Sequence, residues 1–238
     1  MKISSWASIS LASNVLFVFV IIWLLRRSPW QQKVTPGLKP YHQLNYQQML
    51  ALLEQEADNA AQQKPKHLTV LVGDSLSQFF PPQMLPPQRN WLKQGIAGET
   101  TTGLLQRLQM FDRTQPEVIF VMIGTNDLSQ EAEDKLILAN QQKIMHYLHQ
   151  AHPDSQIIFQ SILPRTDKFN YRIEPLNRQL AAIAEAENVY YLNLYPLFAD
   201  AQGNIRSELS TDGLHLNSSG YLVWQSALQL YSQLLLKS

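Results

Sequence analysis

Four short runs of this chain, Leu68–Val72, Val118–Ile123, Ile157–Leu163 and Val189–Leu194, are apolar almost throughout rather than at every second position. A strand with one wet face alternates apolar and polar residues, whereas a strand apolar on both faces must be covered on both. A weaker fifth run lies near Trp91–Ala97. Segments with apolar residues at helical spacing separate the runs: Thr101–Phe111, Glu131–Ala151 and Arg172–Glu187, with Tyr41–Gln63 ahead of them and Ser218–Leu236 behind. Repeated strand–helix alternation with doubly covered strands predicts an α/β domain, a three-layer α/β/α sandwich around a central, mainly parallel five-stranded sheet. In such sheets ligands gather at the carboxyl ends of the strands, which says where chemistry should be sought.

The first forty residues read differently. From Ile3 to Leu25 there is no charged side chain, and Val15–Leu25 is unbroken apolar sequence. A helix over that span is about 35 Å long, enough for a hydrocarbon core of about 30 Å. Arg26 and Arg27 end it, Trp23 and Trp30 sit where interfacial aromatics are favoured, and no small-x-small cleavage site follows Leu25. Residues 1–27 therefore predict an uncleaved single-pass membrane anchor. Residues 28–40, with Pro29, Pro36, Gly37 and Pro40, predict a linker, and residues 41–238 the globular domain. Lys2 precedes the span, whereas Arg26, Arg27, Lys33 and Lys39 follow it closely. The positive-inside rule thus places the domain on the cytoplasmic side, while a signal-anchor reading would export it.

Composition removes several classes of function. Nineteen Lys+Arg balance nineteen Asp+Glu, and only 16% of residues are charged. The chain lacks the basic footprint that holds nucleic acid, so none is expected as a partner. The absence of cysteine excludes a disulfide scaffold, a zinc ribbon, an iron–sulfur site and thiol catalysis.

Polar clusters fall at the predicted strand ends. Leu68–Val72 runs into Gly73-Asp74-Ser75-Leu76, which is not the Gly-x-Ser-x-Gly nucleophile elbow because Ser77 stands where the second glycine would be. Alone, such a tripeptide is as well explained by a turn or a helix cap. The second strand ends in Gly95-Ile96-Ala97-Gly98-Glu99-Thr100. Gly98 and Gly103 have phosphate-loop spacing, but Leu104 and Leu105 replace the required Lys-Ser/Thr, so that motif is rejected. The third ends in Gly124-Thr125-Asn126-Asp127, where Asn126 could aim an amide into the same cleft or simply cap a helix. Asp212-Gly213-Leu214-His215 places a carboxylate and an imidazole three residues apart, close enough to hydrogen-bond and fix the ring tautomer.

Taken together, Ser75, Gly98, Asn126 and His215 resemble the four named residues of the SGNH (GDSL-type) hydrolase superfamily, over roughly Leu68 to Leu236. Gly95-Ile96-Ala97-Gly98-Glu99-Thr100-Thr101, Leu163-Pro164-Arg165 and Asp212-Gly213-Leu214-His215-Leu216 are similar to the branch typified by the catalytic subunits of platelet-activating-factor acetylhydrolase. Lys93 departs from the asparagine that many members carry in the second block. The resemblance implies a flavodoxin-like sheet and a serine esterase without metal or cofactor. It also implies Ser75, His215 and Asp212 as nucleophile, base and orienting carboxylate, with Ser75, Gly98 and Asn126 forming an oxyanion hole. The substrate it implies is a small or single-chain acyl ester, a lipid or an acetylated carbohydrate. An acyltransferase using the same residues, and a silent membrane-tethered binding module, remain alternatives at this point.

Other signals read as structure. Asp74 and Asp127 are expected to support loops, and Gly73 and Gly124 to serve backbone geometry. His146, His149 and His152 recur every third residue, a spacing that turns about 300° per step around a helix and cannot form one tight metal face. Asn217-Ser218-Ser219 fits a glycosylation sequon, but a cap for the final helix is the simpler reading.

Overall fold

The computed structural model describes residues 44–235. Strands β1 (Leu68–Gly73), β2 (Asn90–Gly95), β3 (Val118–Met122), β4 (Gln156–Gln160) and β5 (Tyr190–Leu192) form one sheet in the order β2-β1-β3-β4-β5, with every pairing parallel. The connecting helices are α1 (Tyr46–Gln63), α2 (Ser75–Gln78), α3 (Thr101–Arg107), α4 (Thr125–Ser129), α5 (Asp134–Ala151), α6 (Asn170–Ala186), α7 (Tyr195–Phe198) and α8 (Ser218–Leu235). This is the three-layer α/β architecture the sequence predicts, in the flavodoxin-like strand order.

The pleat sorts each apolar run to two sides. Val70, Val72, Ile119, Val121, Ile157 and Phe159 pack with Leu104, Ile137, Ile144, Leu148 and Leu180 from α3, α5 and α6. The intervening Leu71, Phe120, Met122 and Ile158 pack with Leu76, Phe80, Phe198, Trp224 and Leu228. Each such side chain contributes about 1.5–3 kcal/mol on full burial, so both helical layers are needed to cover the sheet. Trp224 is fully buried and donates its indole N–H to Gln160 Oε1 at 2.6 Å, which satisfies its polar atom inside an apolar layer.

Element ends differ from the sequence reading where side chains take over backbone bonding. α1 starts at Tyr46 because Asn45 and Gln48 form a reciprocal capping box. β4 stops at Gln160 instead of Leu163. Beyond it, the Asn177 amide on α6 accepts from the Ile162 N–H and donates to the Ile162 carbonyl, both at 2.8 Å, in place of a strand partner. The helical segment expected to reach Phe111 tightens into a 3-10 turn after Arg107. The predicted span Ile3–Leu25 and its linker lie outside the described residues. Among those described, no helix is long and apolar enough to cross a membrane.

The three histidines of the α5 region do not converge. His146 Nε2 meets Gln150, whereas His152 lies buried and flat on Phe111, the ring centroids 5.4 Å apart. Burial pushes the His152 imidazole below its ordinary range, with Asp112 opposing only in part, and its Nε2 has no hydrogen-bond partner. Because the folded-state value is depressed, the unfolded chain binds this proton more tightly. The contribution of His152 to stability is complete above about pH 6.5 and is lost as the pH falls from there through the folded-state value. His152→Gln should therefore lose less stability than wild type between pH 8 and pH 5.5 in urea melts. Equal losses would show that this histidine does not titrate on unfolding.

Candidate active site

Chain order reverses at β1: β2 follows on one side of it and β3 lies on the other. Crevices open at such switch points beyond the strands' carboxyl ends. The chain leaving β1, β2 and β3 carries Ser75 at the start of α2, Gly98 in the loop before α3 and Asn126 in the first turn of α4.

β1 ends at Gly73, with φ +156°, where a Cβ would lie 2.0 Å from the Met122 carbonyl oxygen. Only a bare backbone passes so close to β3. Asp74 then caps α2, its Oδ1 accepting the Leu76 N–H at 2.9 Å. Burial pushes the Asp74 carboxyl up to about 7, against the pull of that hydrogen bond and of His215. Ser75 is the first residue of α2 and is buried.

The imidazole comes from the loop before α8. Asp212 Oδ1 accepts the Leu214 and His215 amides at 3.0 and 2.7 Å, and its Oδ2 accepts His215 Nδ1–H at 2.7 Å. Burial pushes the Asp212 carboxyl up, but the His215 side-chain bond and these amides outweigh it and leave the group below its ordinary value. A carboxylate can only accept, so Nδ1 carries the proton and Nε2 is left as an acceptor. The Ser75 hydroxyl lies 3.3 Å from that Nε2, the long end of hydrogen-bond distance, as is common before substrate binds. A hydroxyl, imidazole and carboxylate in this series can remove a proton from the hydroxyl and stabilise the resulting imidazolium.

Gly98 and Asn126 follow the carboxyl ends of β2 and β3. Gly98 sits exposed at φ +78° with open space around its Cβ position, so an alanine there meets no atom but about 1–2 kcal/mol of backbone strain. Asn126 Nδ2 donates to the Glu99 carbonyl at 2.9 Å, tying its loop to Gly98's. The amide has a second N–H, the one an oxyanion donor requires. Asp127 adds a parallel tie, accepting the Thr101 amide at 2.9 Å and its hydroxyl.

Several supports were not legible in the sequence. Gln78 Oε1 accepts the Ala97 N–H, linking α2 to the residue before Gly98. Lys93, the departure from the resembling pattern, donates to the Gln78 and Phe80 carbonyls at 2.7 Å each, so it props the turn after Ser75 from beneath. Burial lowers its ammonium to about 8. Arg107, buried, pairs with Glu99 at 2.6 Å and donates to the Gly73 and Gln94 carbonyls. Arg165, from the quoted Leu-Pro-Arg, holds α4 through the Thr125 carbonyl at 2.8 Å and the Ser129 hydroxyl at 3.0 Å. Asn217 accepts the Gly220 N–H at 3.0 Å and so caps α8.

Residues 71–223 match the GDSL-like Lipase/Acylhydrolase family. The chain is 28% identical over 164 residues to platelet-activating factor acetylhydrolase IB subunit alpha1 of Rattus norvegicus, covering 64% of this chain and 69% of that protein. It is 30% identical over 174 residues to subunit alpha2 of Homo sapiens, covering 66% and 73% respectively. The crystal structure of a GDSL-like lipase from Bacteroides thetaiotaomicron superposes with a TM-score of 0.66 at 17% identity, covering 76% of this chain and 97% of that one. That last likeness concerns the fold alone. The matched stretch runs from β1 into α8 and contains Ser75, Gly98, Asn126, Asp212 and His215 alike; the chain belongs to the GDSL-like lipase/acylhydrolase family and is a carboxylic ester hydrolase.

Proposed function

We propose that this enzyme hydrolyses small or single-chain acyl esters through an acyl-serine intermediate on Ser75. The observation that carries the reading is the unbroken Ser75–His215–Asp212 hydrogen-bond series. His215 Nε2 takes the Ser75 proton as Oγ bonds to the ester carbon. The imidazolium then returns a proton to the alcohol oxygen as its bond to that carbon breaks, leaving acyl-Ser75. Water repeats the sequence: it gives a proton to His215, attacks the acyl carbon and releases the carboxylic acid, while Ser75 recovers its hydrogen. Asp212 holds the ring and balances its charge. The Ser75 and Gly98 amides and the Asn126 side chain receive the oxyanion, a donor of this kind being typically worth about 2.7–4 kcal/mol in the transition state. The word acetylhydrolase in the names of the relatives favours short acyl groups.

A fluorophosphonate should label the wild-type chain and leave Ser75→Ala unlabelled, and a p-nitrophenyl ester series should peak at short acyl chains. A peak at long chains would overturn the short-acyl preference. A folded protein that neither labels nor hydrolyses p-nitrophenyl acetate would point to a binding module instead.

The same proposal places the enzyme at a membrane, on the uncharged span Ile3–Leu25. The full chain should stay with membranes through high-salt and carbonate washes, while residues 41–238 alone should stay in the supernatant. Release by salt would remove the anchor from the proposal. The charges flanking the span favour a cytoplasmic domain. Digestion of that domain by protease added to intact cells, or to spheroplasts, would reverse the orientation.

A further inference from the structure

Two phenylalanines follow the nucleophile turn and meet opposite fates. Phe80 is fully buried against Tyr221 and Trp224, whereas Phe79 leaves 42% of its surface exposed. The Phe79 amide donates to the Ser75 carbonyl at 2.8 Å, which sets the two residues one helical turn apart on the same side. Its ring centroid lies 6.1 Å from that of His215, tilted by 53°. Single exposed aromatics are ordinary on protein surfaces. This one lies beside the imidazole that must protonate the departing oxygen, one turn on from the residue that carries the hydroxyl.

We propose that Phe79 walls the subsite for the alcohol part of the ester, and that the preferred alcohols present an apolar face to its ring: an aryl group, an alkyl chain or the C–H face of a ring. The inference rests on the roles given to Ser75 and His215 above. His215 Nε2 faces Ser75 Oγ during attack and the leaving oxygen during collapse, so a substituent on that oxygen emerges beside the imidazole. An apolar substituent of ring size there shields Phe79 from water, and a methyl or ethyl group does so far less.

The test uses the full chain in one non-ionic detergent, with benzyl acetate and ethyl acetate as substrates. Their acyl groups are identical, so the ratio of kcat/KM values isolates the alcohol side. In Phe79→Ala the benzyl-to-ethyl ratio should fall about five- to tenfold, and in Phe79→Tyr it should be kept. A ratio within twofold of wild type in Phe79→Ala overturns the proposal, including the case where both esters lose rate equally and the ring merely props His215. Should Phe79→Ala fail to fold, Phe79→Gln, which keeps bulk but removes the apolar face, reads the same ratio, and a change below twofold there is equally fatal. A Ser75→Ala control that still hydrolyses both esters would instead overturn the acyl-serine reading itself.

Discussion

Ser75→Ala is expected to abolish ester turnover, with a loss on the order of 10⁶ in kcat, the scale seen when a nucleophile is taken from a serine–imidazole pair. In the proposed mechanism Oγ alone forms the covalent intermediate, and without it the amide donors can only polarise the substrate. His215→Ala should cost about as much, and combining the two should add little, because each residue is useless without the other. Asp212→Asn should cost less: the carboxylate side chain is 52% exposed, so water can compensate part of its charge. Initial rates on p-nitrophenyl acetate, beside thermal melts that match wild type, check all three. Near-wild-type kcat in either alanine variant would end the mechanism.

The second large effect is expected at Asn126. Asn126→Ala should lower kcat by roughly 10²–10³ while KM moves much less, since an oxyanion donor acts on charge that develops only in the transition state. Asn126 also donates to the Glu99 carbonyl, so the melt must be read together with the rate. A loss of kcat in a protein of unchanged melting temperature assigns the effect to the oxyanion. A change confined to KM would assign Asn126 to ground-state binding.

The sheet was legible because burial on both faces leaves a mark on composition: Leu68–Val72 and Val118–Ile123 have no polar face to offer water, and they occupy the centre of the sheet as β1 and β3. The run near Trp91 is weaker because polar Lys93 and Gln94 interrupt it, and neither serves water: Lys93 donates to the Gln78 and Phe80 carbonyls, and Gln94, fully buried, donates to the Leu53 carbonyl. Ser75, Asp212 and His215 stood out as polar clusters, Asp212 with His215 within one turn and Ser75 at a strand's end, but each alone fits a turn or cap, and their roles were legible only through the resemblance carried by Ser75, Gly98, Asn126 and His215 together. The supports were hidden because they act across the chain between unlike partners. Gln78 reaches Ala97, Arg165 reaches Thr125, and Asn177 stands in for a strand beside Ile162. A glutamine or asparagine in an amphipathic segment has the same appearance in sequence whether it faces water or bonds to a buried amide. Helix ends were misjudged for that same reason at Asn45 and Gln48.

The hydroxyl and the imidazole lie 140 positions apart in the chain, and the Tyr221 hydroxyl on α8 bonds to the Leu76 carbonyl beside Ser75 across 145. Neither link can form while the two ends of the domain are undocked, and closing loops of that length is the slow part of assembling a parallel sheet. Under the proposed mechanism, a chain lacking the docked C-terminal segment would hold its serine without the imidazole that takes the proton. Catalysis in this enzyme is thus a property of the finished molecule. During refolding, esterase activity is expected to return only once the C-terminal segment has docked on β1, so its recovery should not precede that of helix content.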